Sequence, residues 1–342
     1  MHSDAFFCVL PGIYQLNFVI QACFALFQMS CCGISASVMT EILSVYIHDL
    51  DPILVGIPGT SIAVRWYGLA YLAGFVLGYL LLLHLSKKKL YCVEPDKLSD
   101  FIAMQVCLVG VVCGGRLGEF FFYWLPKVGF SGFLEDPTWV FRVWEGGMAS
   151  HGGIIGVMLM AWLYASRNKQ SFPAVLDGLA IAAPIGLCFG RIANFINGEL
   201  WGKPCSPDNP LAVVFPQEGG AEFYHWFTRQ SAEVQARMAE QLLPTRYPSQ
   251  LFEAFGEGLL LFAVLIVVRL RWKNAPAGVF AGLFGVLYAV ARVICECYKE
   301  PDDAVMLGIT KGQWLSFGIF AFGIAFLVYA YMQKNKPICK KN

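Results

Sequence analysis

Three patches of polar residues interrupt the apolar stretches of this chain, and their side chains suit work on an anionic group. The first, Gly147-Met148-Ala149-Ser150-His151-Gly152-Gly153, sets an imidazole beside glycines that let backbone or ligand come close. The second runs Gly190-Arg191-Ile192-Ala193-Asn194-Phe195-Ile196-Asn197-Gly198-Glu199-Leu200-Trp201-Gly202. Arg191, Asn194 and Asn197 stand at i, i+3 and i+6, roughly on one helix face. A guanidinium there grips a phosphate through two parallel hydrogen bonds, with amides holding its other oxygens. The third is a stripe of Tyr288, Arg292 and Glu296, one every four residues. Together the patches offer a general-base candidate in His151, two arginines for an anion, and several amides and phenols. A phospholipid headgroup fits that set.

Each patch also has a plainer reading. A histidine at a span end is commonly a hydrogen-bonded structural residue, Arg191 has Glu199 or Asp177 as ion-pair candidates, and Arg292 has Glu296. Tyr67, in Arg65-Trp66-Tyr67-Gly68, stands where tyrosine and tryptophan ordinarily anchor a helix at the membrane interface.

The elements that must carry these residues are membrane spans. Apolar runs approaching the roughly 20 residues that cross a bilayer occur at about 62–85, 101–123, 148–166, 174–196, 249–270, 276–297 and 313–332. The expected fold is therefore an all-α membrane protein of about seven transmembrane helices with a small outward-facing periplasmic head. Positive charge gathers in alternate connections: Lys87, Lys88, Lys89 and Lys97; then Arg167 and Lys169; then Arg269, Arg271 and Lys273. The tail adds Lys334, Lys336, Lys340 and Lys341, so the positive-inside rule puts the C-terminus in the cytoplasm. In the outer loop, about 197–248, Phe223, Phe227, Val234, Met238 and Leu242 recur near helical spacing, which predicts an amphipathic helix lying on the leaflet or packed back on the protein. Residues 1–38 form a separate N-terminal extension, either an extra span or sequence upstream of a start at Met39; the polytopic membrane domain is expected over 39–342.

Composition agrees with the membrane class. Of 342 residues 57% are hydrophobic and 14% charged, against about 25% charged in ordinary soluble domains. A net charge of +1 supplies no basic excess for nucleic acid. The twelve cysteines are scattered without a C-x-x-C pair, so neither a disulfide framework nor a metal site is expected. An anion transporter is a competing reading of intramembrane arginine and glutamate, as is a scaffold whose polar residues only pair helices. Transporters often show repeated halves, and no repeat is visible here.

The run Gly190–Gly202, Gly-Arg-x-x-Asn-Phe-x-Asn-Gly-Glu-x-x-Gly, resembles the signature of the prolipoprotein diacylglyceryl transferases. Further matches follow in order: Arg65-Trp66-Tyr67-Gly68-Leu69, Gly114-Gly115-Arg116, Val143-Trp144-Glu145-Gly146-Gly147-Met148, His151-Gly152-Gly153, Tyr247-Pro248-Ser249-Gln250-Leu251, and Arg292 with Glu296. The resemblance covers about 40–335. It implies transfer of an sn-1,2-diacylglyceryl group from phosphatidylglycerol to the lipobox cysteine of a prolipoprotein, giving a thioether and glycerol 1-phosphate. It implies no cofactor and no metal, and a multi-pass place in the bacterial inner membrane. By that resemblance the catalytic residues are His151, Arg191, Arg292, Tyr67 and Tyr288, while Arg191, Asn194, Asn197, Glu199, Gly202 and Glu296 bind substrate. Glu199 and Glu296 are expected to hold the arginines. Ala289, Tyr247, Phe252 and Glu119 depart from the residues usual in the family at those places.

Overall fold

The computed structural model describes residues 45–56, 63–142, 147–301 and 308–333. The N-terminal extension, Val143 to Gly146, and the lysines of the tail lie outside them. The chain divides into two compact units. One comprises 1–73, 187–260 and 289–317, the other 74–186, 261–288 and 318–342.

The chain is mostly helical. Among the described residues six helices are long and apolar enough to cross a membrane: α1 (Trp66–Lys87), α2 (Pro95–Glu135), α4 (Phe172–Asn197), α7 (Ser249–Arg271), α8 (Val279–Glu296) and a last one over Gly312–Met332. The seventh expected run forms α3, Ser150–Arg167, an 18-residue helix outside that set. Its reduced apolar length has a visible cause, since it opens on Ser150-His151-Gly152-Gly153 and closes on Arg167.

The all-α expectation misses two small sheets. In the first unit β1 (Tyr46–Ile47) pairs in parallel with β4 (Val213–Val214), which pairs antiparallel with β5 (Thr245–Arg246). A separate hairpin joins β2 (Ile53–Gly56) to β3 (Ala63–Arg65) and runs directly into α1. The predicted amphipathic helix is two, α5 (Ala221–Phe227) and α6 (Ala232–Leu242). They pack back on the protein: Phe227 and Ala239 are buried with Val214, and Phe223 and Met238 pack against that cluster. Leu242 stays exposed. A second cluster of Leu50, Phe195, Val213, Phe215 and Leu251 lies against the other part of the sheet and fastens it to the end of α4.

In the second unit the main core runs from Leu82 and Leu85 through Phe101, Tyr164 and Ile181 to Leu265 and Phe280. Asp177 is buried there and accepts the backbone N–H groups of Gly278 (2.7 Å) and Ala281 (2.8 Å), supplying acceptors at the start of α8 that no helix turn provides. The helix α2 is not regular: residues Phe101–Cys113 and Phe120–Trp124 turn more widely, closing hydrogen bonds five residues apart, and Gly129 at φ 73° breaks the axis.

The contact of α2 with α3 is made by glycine. A Cβ on Gly152 would stand 2.3 Å from the Gly114 oxygen and 2.6 Å from the Gly118 Cα, and one on Gly156 2.2 Å from the Gly110 oxygen. Gly110, Gly114 and Gly118 are spaced four apart, as are Gly152 and Gly156, so each helix presents a bare seam to the other. Filling it forces the backbones apart. Gly152→Val is expected to destabilise the protein by about 1–3 kcal/mol, the usual cost of overpacking, read as a lower melting temperature in detergent; an unchanged midpoint would contradict the seam.

Candidate active site

In the first unit Arg191 of α4 and Arg292 of α8 converge on the same pair of carboxylates. Arg191 Nη1 lies 3.2 Å from Glu253 and Nη2 3.4 Å from Glu257. Arg292 Nη1 bonds both Glu253 and Glu257, the latter at 3.1 Å, and its Nη2 lies 3.1 Å from Glu296. Both α7 carboxylates are fully buried, while the Arg191 and Arg292 side chains keep 18% and 12% exposure. The carboxylates therefore fix the guanidiniums without sealing them away. A widened stretch of α7, Ala254–Leu260, carries Glu257.

Glu253 and Glu257 escaped the sequence reading. Two acids four residues apart inside an apolar span were the available signal, since intramembrane ionisable residues rarely lack a purpose. The expected partnership of Glu296 with Arg292 is present. Glu199 instead takes amides: Asn194 Nδ2 donates to its Oε1 at 2.8 Å and Asn197 Nδ2 at 3.3 Å. The Glu296 carboxylate also accepts from Thr310 Oγ1 at 2.9 Å, and a side chain at Gly312 would collide with it. Tyr67, at the start of α1, shares a hydrogen bond with Tyr71 at 3.3 Å and is within hydrogen-bonding reach of Asn194.

The loop after α4 is held from several sides. Gly198 has φ 62°, a conformation that favours glycine. Gln250 Nε2 donates to the Glu199 carbonyl at 2.6 Å and Ser249 Oγ to that of Leu200 at 3.0 Å. Gly202 is wedged between backbones, where a Cβ would lie 2.4 Å from the Tyr247 oxygen and 2.7 Å from that of Tyr298. Its glycine is thus a packing requirement, whatever else it does. Arg246 grips the Gly202 carbonyl at 2.8 Å and Glu218 through two bonds at 2.7 and 2.6 Å, with Glu300 at 3.2 Å. The Tyr247 and Phe252 departures pack their rings against Tyr298.

A third residue absent from the sequence reading is His48. Its Nε2 donates to the Phe195 carbonyl at 2.6 Å and its Nδ1 accepts from Gln217 Nε2 at 2.9 Å, which fixes the neutral imidazole.

His151 stands at the start of α3, in the second unit, with the seam glycine Gly152 as its neighbour. Tyr288 lies one turn before Arg292 on α8 and stacks on Phe284 at 5.5 Å. The cluster of ion pairs is thus built from Arg191, Arg292 and Glu296 together with Glu253 and Glu257, and Asn194, Asn197 and Glu199 form a second, amide-linked group.

Residues 52–329 match the profile of a family described as prolipoprotein diacylglyceryl transferase. Among curated relatives, a phosphatidylglycerol–prolipoprotein diacylglyceryl transferase of Bdellovibrio bacteriovorus is 38% identical over 82% of this chain and 93% of its own length. Relatives of the same name from Azospirillum brasilense and Neisseria gonorrhoeae are 40% and 38% identical, covering 82% and 84% of this chain and 95% and 98% of their own lengths.

Burial lowers the His48 pKa from 6.5 to about 4. The unfolded chain therefore takes up this proton first as pH falls. His48 contributes its full stability above pH 6.5 and loses it as pH drops towards 4, a change of roughly 3 kcal/mol. Melting temperature should fall more steeply between pH 7 and 4.5 in the unmodified protein than in His48→Gln; parallel curves would remove His48 from the acid response.

Proposed function

The chain belongs to the prolipoprotein diacylglyceryl transferase family and is a membrane transferase, and from that membership we propose its reaction in detail. It moves the sn-1,2-diacylglyceryl group of phosphatidylglycerol to the lipobox cysteine of a prolipoprotein. The thiol sulfur attacks carbon 3 of the diacylated glycerol, the bond from that carbon to the phosphate oxygen breaks, a thioether forms and glycerol 1-phosphate leaves. No cofactor or metal takes part.

The observation that carries this reading is the shared anchoring of Arg191 and Arg292 on Glu253 and Glu257. Two fixed guanidiniums suit the phosphate, on which negative charge accumulates as glycerol phosphate departs. Donors already oriented before reaction stabilise that charge without reorganising. Glu296 keeps Arg292 in place, and Asn194, Asn197 and Glu199 form a hydrogen-bonded set for the glycerol headgroup. A thiol near pKa ~8.5 is a poor nucleophile until it loses its proton. His151 takes that proton, and Tyr67 and Tyr288 position substrate. The sheet β1–β4–β5 with α5 and α6 forms the periplasmic head, and the basic connections keep the C-terminus in the cytoplasm of the bacterial inner membrane.

Purified protein in detergent, given phosphatidylglycerol and a lipobox peptide, should add one diacylglyceryl mass to the peptide. The gain requires the peptide cysteine. Arg191→Ala should lower the rate by about a hundredfold or more, as loss of a charge-stabilising donor does, and His151→Gln should lower it by about 10²–10⁴-fold, the usual worth of a general base, while lipid binding persists. A folded, lipid-binding preparation that adds no mass would overturn the proposal.

A further inference from the structure

We propose that Arg116 is a positioning residue for His151, because its guanidinium clasps four backbone carbonyls of the segment that leads into α3. The inference rests on His151 being the proton acceptor proposed above.

Arg116 sits on α2 with only 2% of its surface exposed. Its Nε donates to the Val140 carbonyl at 3.1 Å, Nη1 to Gly147 at 3.0 Å, and Nη2 to Trp139 at 2.6 Å and Arg142 at 2.9 Å. The guanidinium carbon lies over the Trp139 ring, 3.8 Å from its centroid. That ring in turn stacks on Trp124 at 4.7 Å. Burying a charge this completely is costly unless its donors are used, and here they are used on one short stretch of backbone. The clasp brings residue 139 and residue 147 to one point.

From there the chain is tied at three points on either side of His151. Gly147 has φ 77°, and a Cβ on it would press on Arg116 Nη1 at 3.3 Å and on Glu119 Cγ at 3.2 Å. Ala149 N–H donates to the Gly115 carbonyl at 3.0 Å. Gly152 meets Gly118 in the glycine seam. Residues 147, 149 and 152 are all registered on 114–118, so His151 inherits its place from that stretch. The glycine seam sets how close α3 comes, and Arg116 sets where α3 begins. A lysine would keep the charge but has neither the fork for several carbonyls nor a plane to stack.

The test is a double-mutant cycle on the transfer reaction, with kcat and lipid KM measured for the unmodified protein, Arg116→Lys, His151→Gln and the double variant. Arg116→Lys should lower kcat by about a hundredfold, the scale of loss from misplacing a reacting group by an ångström, while lipid KM stays within about threefold. In the His151→Gln background the same change should cost less than about twofold, because a residue acting through another adds nothing once that other is gone. Equal losses in both backgrounds, a loss confined to KM, or full kcat in Arg116→Lys would overturn the inference. Where melting and gel filtration show Arg116→Lys misfolded, Trp139→Leu, which removes the face beneath the guanidinium, takes its place in the cycle with the same expectation. Full activity in His151→Gln overturns this inference together with the proton-accepting role given to His151, and leaves the transfer reaction itself standing. An unmodified protein that transfers nothing overturns the function on which it rests.

Discussion

Two guanidinium groups inside segments made for lipid must be neutralised where they stand, and the same two acids, Glu253 and Glu257, do this for both. Neither arginine can shift without disturbing the charge balance of the other. In a low-dielectric setting such a cluster is expensive to desolvate and still more expensive to break, since removing one partner strands a buried charge. The geometry of α4, α7 and α8 at these residues is consequently set by electrostatics as much as by packing. Fixing Arg191 also fixes the helix turn that follows it, and so the Asn194 and Asn197 amides.

The loop that follows carries the same rigidity outward by different means. Backbone approach at Gly202, the Arg246 fork on Glu218, the Gln250 and Ser249 bonds to successive carbonyls, and the His48 bond to Phe195 leave the Glu199 loop little freedom. None of these groups need touch a substrate to matter. The small sheet and its two helices act as a frame for one loop.

Much of this was legible beforehand. Apolar run length located six of the seven helices within a few residues, because crossing hydrocarbon imposes a length and an all-internal hydrogen-bond pattern, but it stopped α2 near residue 123 where the helix continues to Glu135. Arg191, Arg292 and Glu296 stood out because charge in a span is rare, and the Arg292–Glu296 pair follows from helix periodicity alone. What stayed hidden was pairing across helices: nothing local says that Glu253 meets Arg191, or that His48 reaches Phe195, 147 residues away. The strands were too short to show alternation, two residues each in the β1–β4–β5 sheet. The four-residue spacing of Gly110, Gly114 and Gly118 was open to view, but it states which face is bare and not which helix will meet it.

The uneven helix α2 has a geometrical consequence. It has 41 residues, which at 1.5 Å each would make a straight α-helical rod of about 60 Å. The hydrocarbon layer is about 30 Å thick, and about 40–45 Å with both headgroup regions. Even with some tilt, such a rod overshoots the bilayer. The widened turns shorten it, since each packs more residues into a given height, and the break at Gly129 lets the surplus depart from the axis. The last turns, where Phe130 and Leu134 stay exposed, are therefore freed from the axis of the spanning stretch, like the brim of a hat beside its crown.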